Sequence, residues 1–342
     1  MSLSSMDPQF NVNATSLAGQ QRELHNAAEC GDARTVAVLG ATGFLGRAIL
    51  AELKQQSRVD VIAACRQPQS VSTSEGMRAV HLNLSDPASL RAVVADADWV
   101  VHVANYIGRD AELMTRVNVE GTRAIVAAAS EVNAMVLYIS TTSVYGHGPF
   151  RGQSELEISI APVSALSRSR ARAEELVLAA NGVVLRPHLT YGIGDRWFIP
   201  TLSKLVGSGS EAIVDSAAVT SVMSVRSLGQ LVRELIERRP GLLAGNALHA
   251  SHPQPVAFGQ IIGSLAQNRL VPAATLANAS ILDKPGSARP KLTGHQIELL
   301  STDHWFSSEA LWSVIGHPQG PPFSLSAKEA LWYQQHLGAP SR

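Results

Sequence analysis

Gly40, Gly43 and Gly46 stand at the spacing of an anion-binding turn within Thr35-Val36-Ala37-Val38-Leu39-Gly40-Ala41-Thr42-Gly43-Phe44-Leu45-Gly46-Arg47-Ala48. Each glycine has its own task in such a turn. One permits the tight bend, one lets the backbone approach a pyrophosphate, and one lets the following helix pack closely on the strand. An apolar strand precedes the glycines, and Leu45, Ala48, Ile49 and Leu53 form the apolar face of a helix after them. That context predicts a dinucleotide site with its pyrophosphate at the helix N-terminus. The residue ending the second strand then selects the nucleotide. A carboxylate there suits the 2′-OH of NAD, whereas this chain has Ala63-Ala64-Cys65-Arg66. Arg66 offers paired N–H donors to a 2′-phosphate, so NADPH/NADP is the expected cofactor. A glycine turn that only joins two elements, and a solvated arginine beyond a strand, are the plainer readings of the same residues.

The surrounding chain alternates. Strands are predicted at Val59 to Cys65, Ala79 to Leu84, Asp98 to Ala104, Met135 to Ser140 and Gly182 to Arg186. Between them lie helical patterns opening at Asp86-Pro87 and covering Val117 to Val132 and Ala171 to Ala180. This alternation predicts an α/β, Rossmann-type doubly wound parallel sheet. After Pro187 the rhythm breaks into a glycine- and proline-rich stretch over 188–224. A helix at Leu228 to Arg238 and a strand at Ala247 to Ala250 then return to the sheet. From residue 254, helices and loops surround Pro272, Pro285, Pro290 and Pro318. The expected organisation is a flexible N-terminal tail over 1–32, an NADP-binding domain over 33–187 and 225–252, and a smaller, segmented substrate-binding lobe over 188–224 and 253–342.

The 342 residues carry a formal net charge of zero and are 45% hydrophobic. That balance favours neither a nucleic-acid nor an anionic-membrane surface, and no apolar run reaches the length of a membrane span. Cys30 and Cys65 form neither a metal spacing nor a disulfide framework, so no metal is expected and a reducing cytoplasm fits. Arginine outnumbers lysine 23 to 5, a codon-usage mark of a high-GC genome.

The motifs in order resemble those of the extended short-chain dehydrogenases/reductases. They are Gly40 to Gly46, Asn83-Leu84-Ser85-Asp86, Asp98 to Ala104, Val117-Asn118-Val119-Glu120-Gly121-Thr122, Ser140-Thr141-Thr142-Ser143-Val144-Tyr145-Gly146, and Leu185-Arg186-Pro187 with Tyr191-Gly192-Ile193-Gly194-Asp195. The resemblance implies cofactor contacts from Gly40, Thr42, Gly43, Phe44, Leu45, Gly46, Arg66, Asn83, Leu84, Ala104, Asn118, Arg170, Pro187 and Leu189. It also implies a catalytic hydroxyl at Thr141, with Ser143 and Tyr145 as further candidates, and substrate contacts from Tyr106, His188 and Tyr191. His102, inside an apolar strand, is expected in the core.

One departure stands out. The family's Tyr-x-x-x-Lys pair aligns with Leu166 and Arg170, and neither tyrosine nor lysine occurs between Tyr145 and Tyr191. Leucine transfers no proton, and arginine is too strong a base to tune an acid. The pattern is similar to that of angucyclinone ketoreductases of the simocyclinone type, acting in polyketide antibiotic biosynthesis. It implies an NADPH-dependent ketoreductase for a bulky aromatic ketone, with the proton drawn from the substrate, from water or from another hydroxyl. A catalytically silent NADP(H)-binding sensor or scaffold, and a sugar-nucleotide epimerase or dehydratase, are the other function classes. The expected partner is a small molecule, and the expected state a monomer or homodimer.

Overall fold

The computed structural model describes residues 34–55, 58–207, 214–238, 243–272, 292–316, 318 and 320–337. The expected N-terminal tail, Cys30, Pro285 and Pro290 lie outside them. The first strand, β1 (Arg34–Leu39), enters α1 (Phe44–Leu53) through the glycine turn. There follow β2 (Val59–Cys65), β3 (Met77–His81), α2 (Pro87–Val94), β4 (Trp99–His102), α3 (Ala111–Met114), a π-helical stretch Thr115–Glu120, α4 (Gly121–Glu131), β5 (Met135–Ile139), a 3₁₀ turn Thr142–Tyr145 and β6 (Phe150–Gln153). Next come α5 (Ala165–Ala179), β7 (Val183–Arg186), β8 (Leu189–Tyr191), α6 (Phe198–Gly207), β9 (Val219–Thr220), β10 (Val222–Ser224) and α7 (Val225–Arg238). The last elements are β11 (Ala247–His249), β12 (Val256–Ala257), α8 (Phe258–Gln267), α9 (Gly294–Ser301), β13 (His304–Phe306), α10 (Glu309–Ile315) and α11 (Ala327–His336).

Seven strands form one parallel sheet in the order β11-β7-β5-β4-β1-β2-β3. The order reverses between β1 and β4, the position at which open α/β sheets place the ligand crevice, beyond the strand ends. Strand residues alternate between two cores, as the two-residue period requires. Val36, Val38, Val61, Val101 and Leu185 pack with α1, α7 and α10, while Ala37, Leu39, Ile62, Val100 and Val184 pack with α2, α4 and α5. A second sheet, β12-β9-β13-β6, and a two-strand pair, β10-β8, lie outside this frame. A third core joins Leu189, Tyr191, Phe198, Phe258 and Tyr333.

Several elements differ from the sequence expectation; α5, expected from Ala171, begins at Ala165, where Ser164 caps it, and β4 is shorter, Trp99–His102. β3 begins at Met77, because Met77 already pairs with Val61. The helix expected from Val117 begins at Ala111, where Asp110 Oδ1 accepts the Leu113 N–H at 3.0 Å, and it loosens to π geometry at Thr115–Glu120.

The tightest contact in the sheet–helix layer is at Gly46. A Cβ there would sit 2.2 Å from the Gly40 carbonyl oxygen. Gly46→Ala is therefore expected to cost about 1–3 kcal/mol. Gly294→Ala, which meets nothing within 4 Å, is expected to be neutral or stabilising by up to about 1 kcal/mol. Urea unfolding midpoints of the two variants check this pair.

Candidate active site

The crevice is built first by backbone. Gly40 has φ +97°, and its N–H donates to the Ala64 carbonyl at 3.0 Å. A Cβ at Gly40 would lie 2.8 Å from the Ala104 nitrogen, so a side chain would push β1 and β4 apart at the order reversal. Gly43 is the N-cap of α1 and provides no side-chain hydrogen bond, leaving the first amides of the helix free to take an anion. Thr42, Phe44 and Leu45 border this end, and Gly194 closes over Phe44 with its Cβ position 3.1 Å from Cδ2. Arg66 is exposed immediately beyond β2, and Asn83 is exposed beyond β3, its Oδ1 accepting the Ser85 N–H at 3.0 Å. Leu84 lies against Gly121 at the start of α4.

The ends of β4, β5 and β7 bring polar groups together. Asn118 is fully buried in the π stretch. Its Oδ1 accepts the Tyr106 N–H at 2.7 Å, and its Nδ2 donates to the Tyr106 carbonyl and to Ser169 Oγ, both at 3.0 Å. Its amide thus fixes the loop carrying Ala104 and Tyr106 to α5. Thr122 Oγ1 donates to the Asn118 carbonyl at 2.6 Å and lies 2.9 Å from His102 Nε2. With its one proton committed, Thr122 can only accept from His102, so Nε2 carries the imidazole hydrogen and Nδ1 is left as a buried acceptor without a partner. Burial, reinforced by the Arg170 charge, pulls the His102 pKa down to about 3. Arg170 donates from Nη1 to the Ser140 carbonyl at 3.1 Å. Its Nε, Ser140 Oγ and His188 Nε2 are further buried polar atoms without a hydrogen-bond partner.

Thr141 and Ser143 stand together, with Thr141 Oγ1 accepting the Ser143 N–H and donating to Ser143 Oγ, each at 3.2 Å. Tyr145 is placed elsewhere. Its phenol is buried, accepts from Arg186 Nη1 at 2.8 Å and lies 2.6 Å from His249 Nε2. Desolvation pushes its pKa up, partly opposed by the Arg186 charge. The Tyr145 oxygen is thus held on both sides, with its ring among Phe150, Phe306 and His249 behind the strand end. Tyr191 is likewise enclosed, its oxygen accepting the Ser324 N–H at 3.2 Å and its ring on Phe323. Burial raises its pKa to about 12. The Tyr106 ring folds over Gly108. His188 pairs through Nδ1 with Thr142 Oγ1 at 2.6 Å and stacks on His304. Desolvation, and then neighbouring histidines, hold its pKa well below 6.5. Pro187 accepts the Thr142 N–H through its carbonyl, and Leu189 is buried in the third core. Leu166 and Arg170 both face partly outward from α5.

Sequence reading missed Ser140 and the Glu174–Arg186 pair. Arg186 ends an apolar strand, and a charge there signals a buried partner. Glu174 supplies it, accepting from Arg186 Nε at 3.1 and 3.2 Å and from Nη2 at 2.6 Å. The two side chains are 6% and 3% exposed. Glu174→Leu strands the guanidinium, with an expected loss of about 3–5 kcal/mol in urea unfolding. The histidines give a pH dependence of known sign. Below pH 6.5 the unfolded chain protonates the residue at 102, whereas the folded chain keeps it neutral down to about 3. Stability therefore falls as pH is lowered through that window, and His102→Gln is expected to flatten the curve.

Comparison with known proteins follows this geometry. The 3-beta hydroxysteroid dehydrogenase/isomerase family matches residues 37–255. The chain is 28% identical over 324 residues to a 2-alkyl-3-oxoalkanoate reductase of Stenotrophomonas maltophilia (strain K279a), spanning 82% of this chain and 94% of that relative. It is 29% identical over 218 residues to a 4-hydroxy-2-methyl-3-oxo-4-farnesyl-3,4-dihydroquinoline-1-oxide ketoreductase of Stigmatella aurantiaca, spanning 60% and 65% of the two chains. Its fold is that of a short-chain dehydrogenase/reductase superfamily protein from Agrobacterium tumefaciens solved with bound NAD, with TM-score 0.68, 20% identity and 89% and 98% of the chains covered. The chain belongs to the 3-beta hydroxysteroid dehydrogenase/isomerase family.

Proposed function

We propose that this chain is an NADPH-dependent ketoreductase for a bulky aromatic, angucyclinone-like ketone of polyketide antibiotic biosynthesis. In this proposal, the substrate rather than a tyrosine supplies the proton. The observation that carries the reading is the combination of an open glycine cradle with a strand end that lacks the usual acid. α5 offers Leu166 and Arg170 where the acid and its lysine would stand, and the nearby Tyr145 hydroxyl is already engaged. The residues present fit a nicotinamide dinucleotide. The free amides of α1 suit a pyrophosphate, and the partnerless Ser140 Oγ and Arg170 Nε suit ribose hydroxyls. In this reading Gly40, Thr42, Gly43, Phe44, Leu45 and Gly46 hold the phosphates, Arg66 the 2′-phosphate, and Asn83 and Leu84 the adenosine half. Ala104, Arg170, Pro187 and Leu189 flank the nicotinamide half, and Asn118 positions the loop beside it. The substrate lies towards 188–224 and 253–342, near Tyr106, His188 and the Tyr191 segment.

The reduced nicotinamide, when bound, supplies the hydride. Thr141 acts on the ketone oxygen through Ser143: it donates to Ser143 Oγ at 3.2 Å, and the Ser143 hydroxyl donates to the ketone. As the carbonyl carbon gains hydride, its oxygen takes the proton of a neighbouring substrate phenol already hydrogen-bonded to it, and water returns a proton to that phenolate. The Stigmatella relative, named as a ketoreductase of a ring ketone in a bicyclic substrate, supports this substrate class.

Three measurements test the proposal. Aromatic ketones bearing an adjacent phenol should consume NADPH, and their O-methyl ethers should react about 10²–10⁴-fold more slowly. Equal rates would overturn substrate protonation. Thr141→Ala should lower kcat by about 10²-fold. NADPH should bind about tenfold or more tighter than NADH, and Arg66→Ala should erase the difference. Tight cofactor binding with no turnover of any ketone would favour the sensor reading instead.

A further inference from the structure

Beyond the crevice, three side chains far apart in sequence converge on one point. His147 follows the Thr142–Tyr145 turn, while His295 and Glu298 lie three apart on one face of α9. His147 Nδ1 contacts Glu298 Oε2, and His295 Nδ1 lies 3.8 Å from that oxygen. The two imidazole rings stand at 82° with centroids 5.7 Å apart. One ligand atom from each of the three residues lies within 4.8 Å of those of the other two. The arrangement is braced. The Gly148 N–H donates to Glu298 Oε1 at 2.8 Å, which orients the carboxylate and leaves Oε2 towards the two histidines.

An ordinary ion pair accounts for only part of this. One carboxylate oxygen satisfies His147, but His295 Nδ1 is buried with no hydrogen-bond partner. A second imidazole, His304, presents a partnerless buried Nε2 4.0 Å from Glu298 Oε1. Three imidazoles around one carboxylate are an expensive way to build a salt bridge and a suitable way to build a transition-metal site. Imidazole and carboxylate are the ligands of His₂Glu zinc centres. Tetrahedral coordination with bonds of about 2.0–2.1 Å separates ligand atoms by about 3.3 Å. His147, with a 58% exposed side chain, and His295, at 24%, have the freedom to close the remaining gap.

We propose that His147 Nδ1, His295 Nδ1 and Glu298 Oε2 form a three-ligand zinc site, with the fourth position open to water at the exposed His147 side. The expectation from cysteine spacing was that no metal binds. That expectation considered one ligand type and could not see residues 148 positions apart brought together by α9. Zinc there would clamp α9, and with it the entry to β13, onto the loop that follows Thr141 and Ser143.

The test uses the full chain stripped with a chelator and titrated with Zn²⁺ and, separately, Co²⁺. One equivalent of either ion should bind, Co²⁺ should give the visible absorption of a four- or five-coordinate nitrogen–oxygen site, and the melting temperature should rise with Zn²⁺. His147→Ala, on an exposed loop, and His295→Ala should each weaken binding by at least about tenfold, and both should lose the Co²⁺ spectrum and the thermal shift. His81→Ala, at the exposed last residue of β3, should change nothing. The absence of stoichiometric binding overturns the proposal. So does binding that survives either ligand substitution.

Discussion

The buried guanidinium of Arg186 is the constraint on which the site depends. It closes β7 and is tied through Nε and Nη2 to Glu174 of α5, and its remaining nitrogen, Nη1, reaches the Tyr145 hydroxyl. Tyr145 in turn meets His249 at the end of β11, and His249 Nδ1 lies 2.7 Å from the Ser307 carbonyl beyond β13. One charge thereby fixes a strand of the large sheet, the helix bearing Arg170, the turn bearing Thr141 and Ser143, and the segment leaving β13 of the second sheet. Such a pair adds little net stability over an apolar pair of equal volume. Its value here is geometric, because it admits only one mutual placement of four elements.

The same economy organises the neighbouring strand ends. Asn118 and Thr122 use the loosened helical stretch to reach Tyr106 and His102, and π-helical turns are common where a side chain must be aimed. The groups left over, Ser140 Oγ, Arg170 Nε and His188 Nε2, are what a bound molecule would satisfy. An unsatisfied buried polar atom costs about 1–3 kcal/mol. A protein tolerates several in one place when ligand binding recovers that cost.

Much of this frame is legible in the residues. The glycine turn, the alternation of strands and helices, and the order of motifs lead to the parallel sheet and to the crevice beside β1, because local periodicity and backbone sterics determine them. Roles that depend on distant partners are not legible. Tyr145 looks like a hydroxyl near a strand end, and only the structure shows its partners Arg186 and His249, 41 and 104 residues away. His102 reads correctly as buried, but its tautomer follows from Thr122. The start of β3 at Met77 depends on register with β2, which no property of Met77 announces.

Tyr333 carries one more consequence. Its hydroxyl donates to Asp195 at 3.0 Å and accepts the Gly192 N–H at 2.8 Å, fixing the loop whose Gly194 lies over Phe44. The loop beside the glycine turn is therefore secured by a residue 141 positions downstream. Contacts of that sequence separation are entropically costly to close and form late. During synthesis the glycine cradle and its sheet can assemble well before this latch arrives. The nascent chain thus passes through a period in which the glycine turn is formed but the loop beside Phe44 is not yet held by Tyr333.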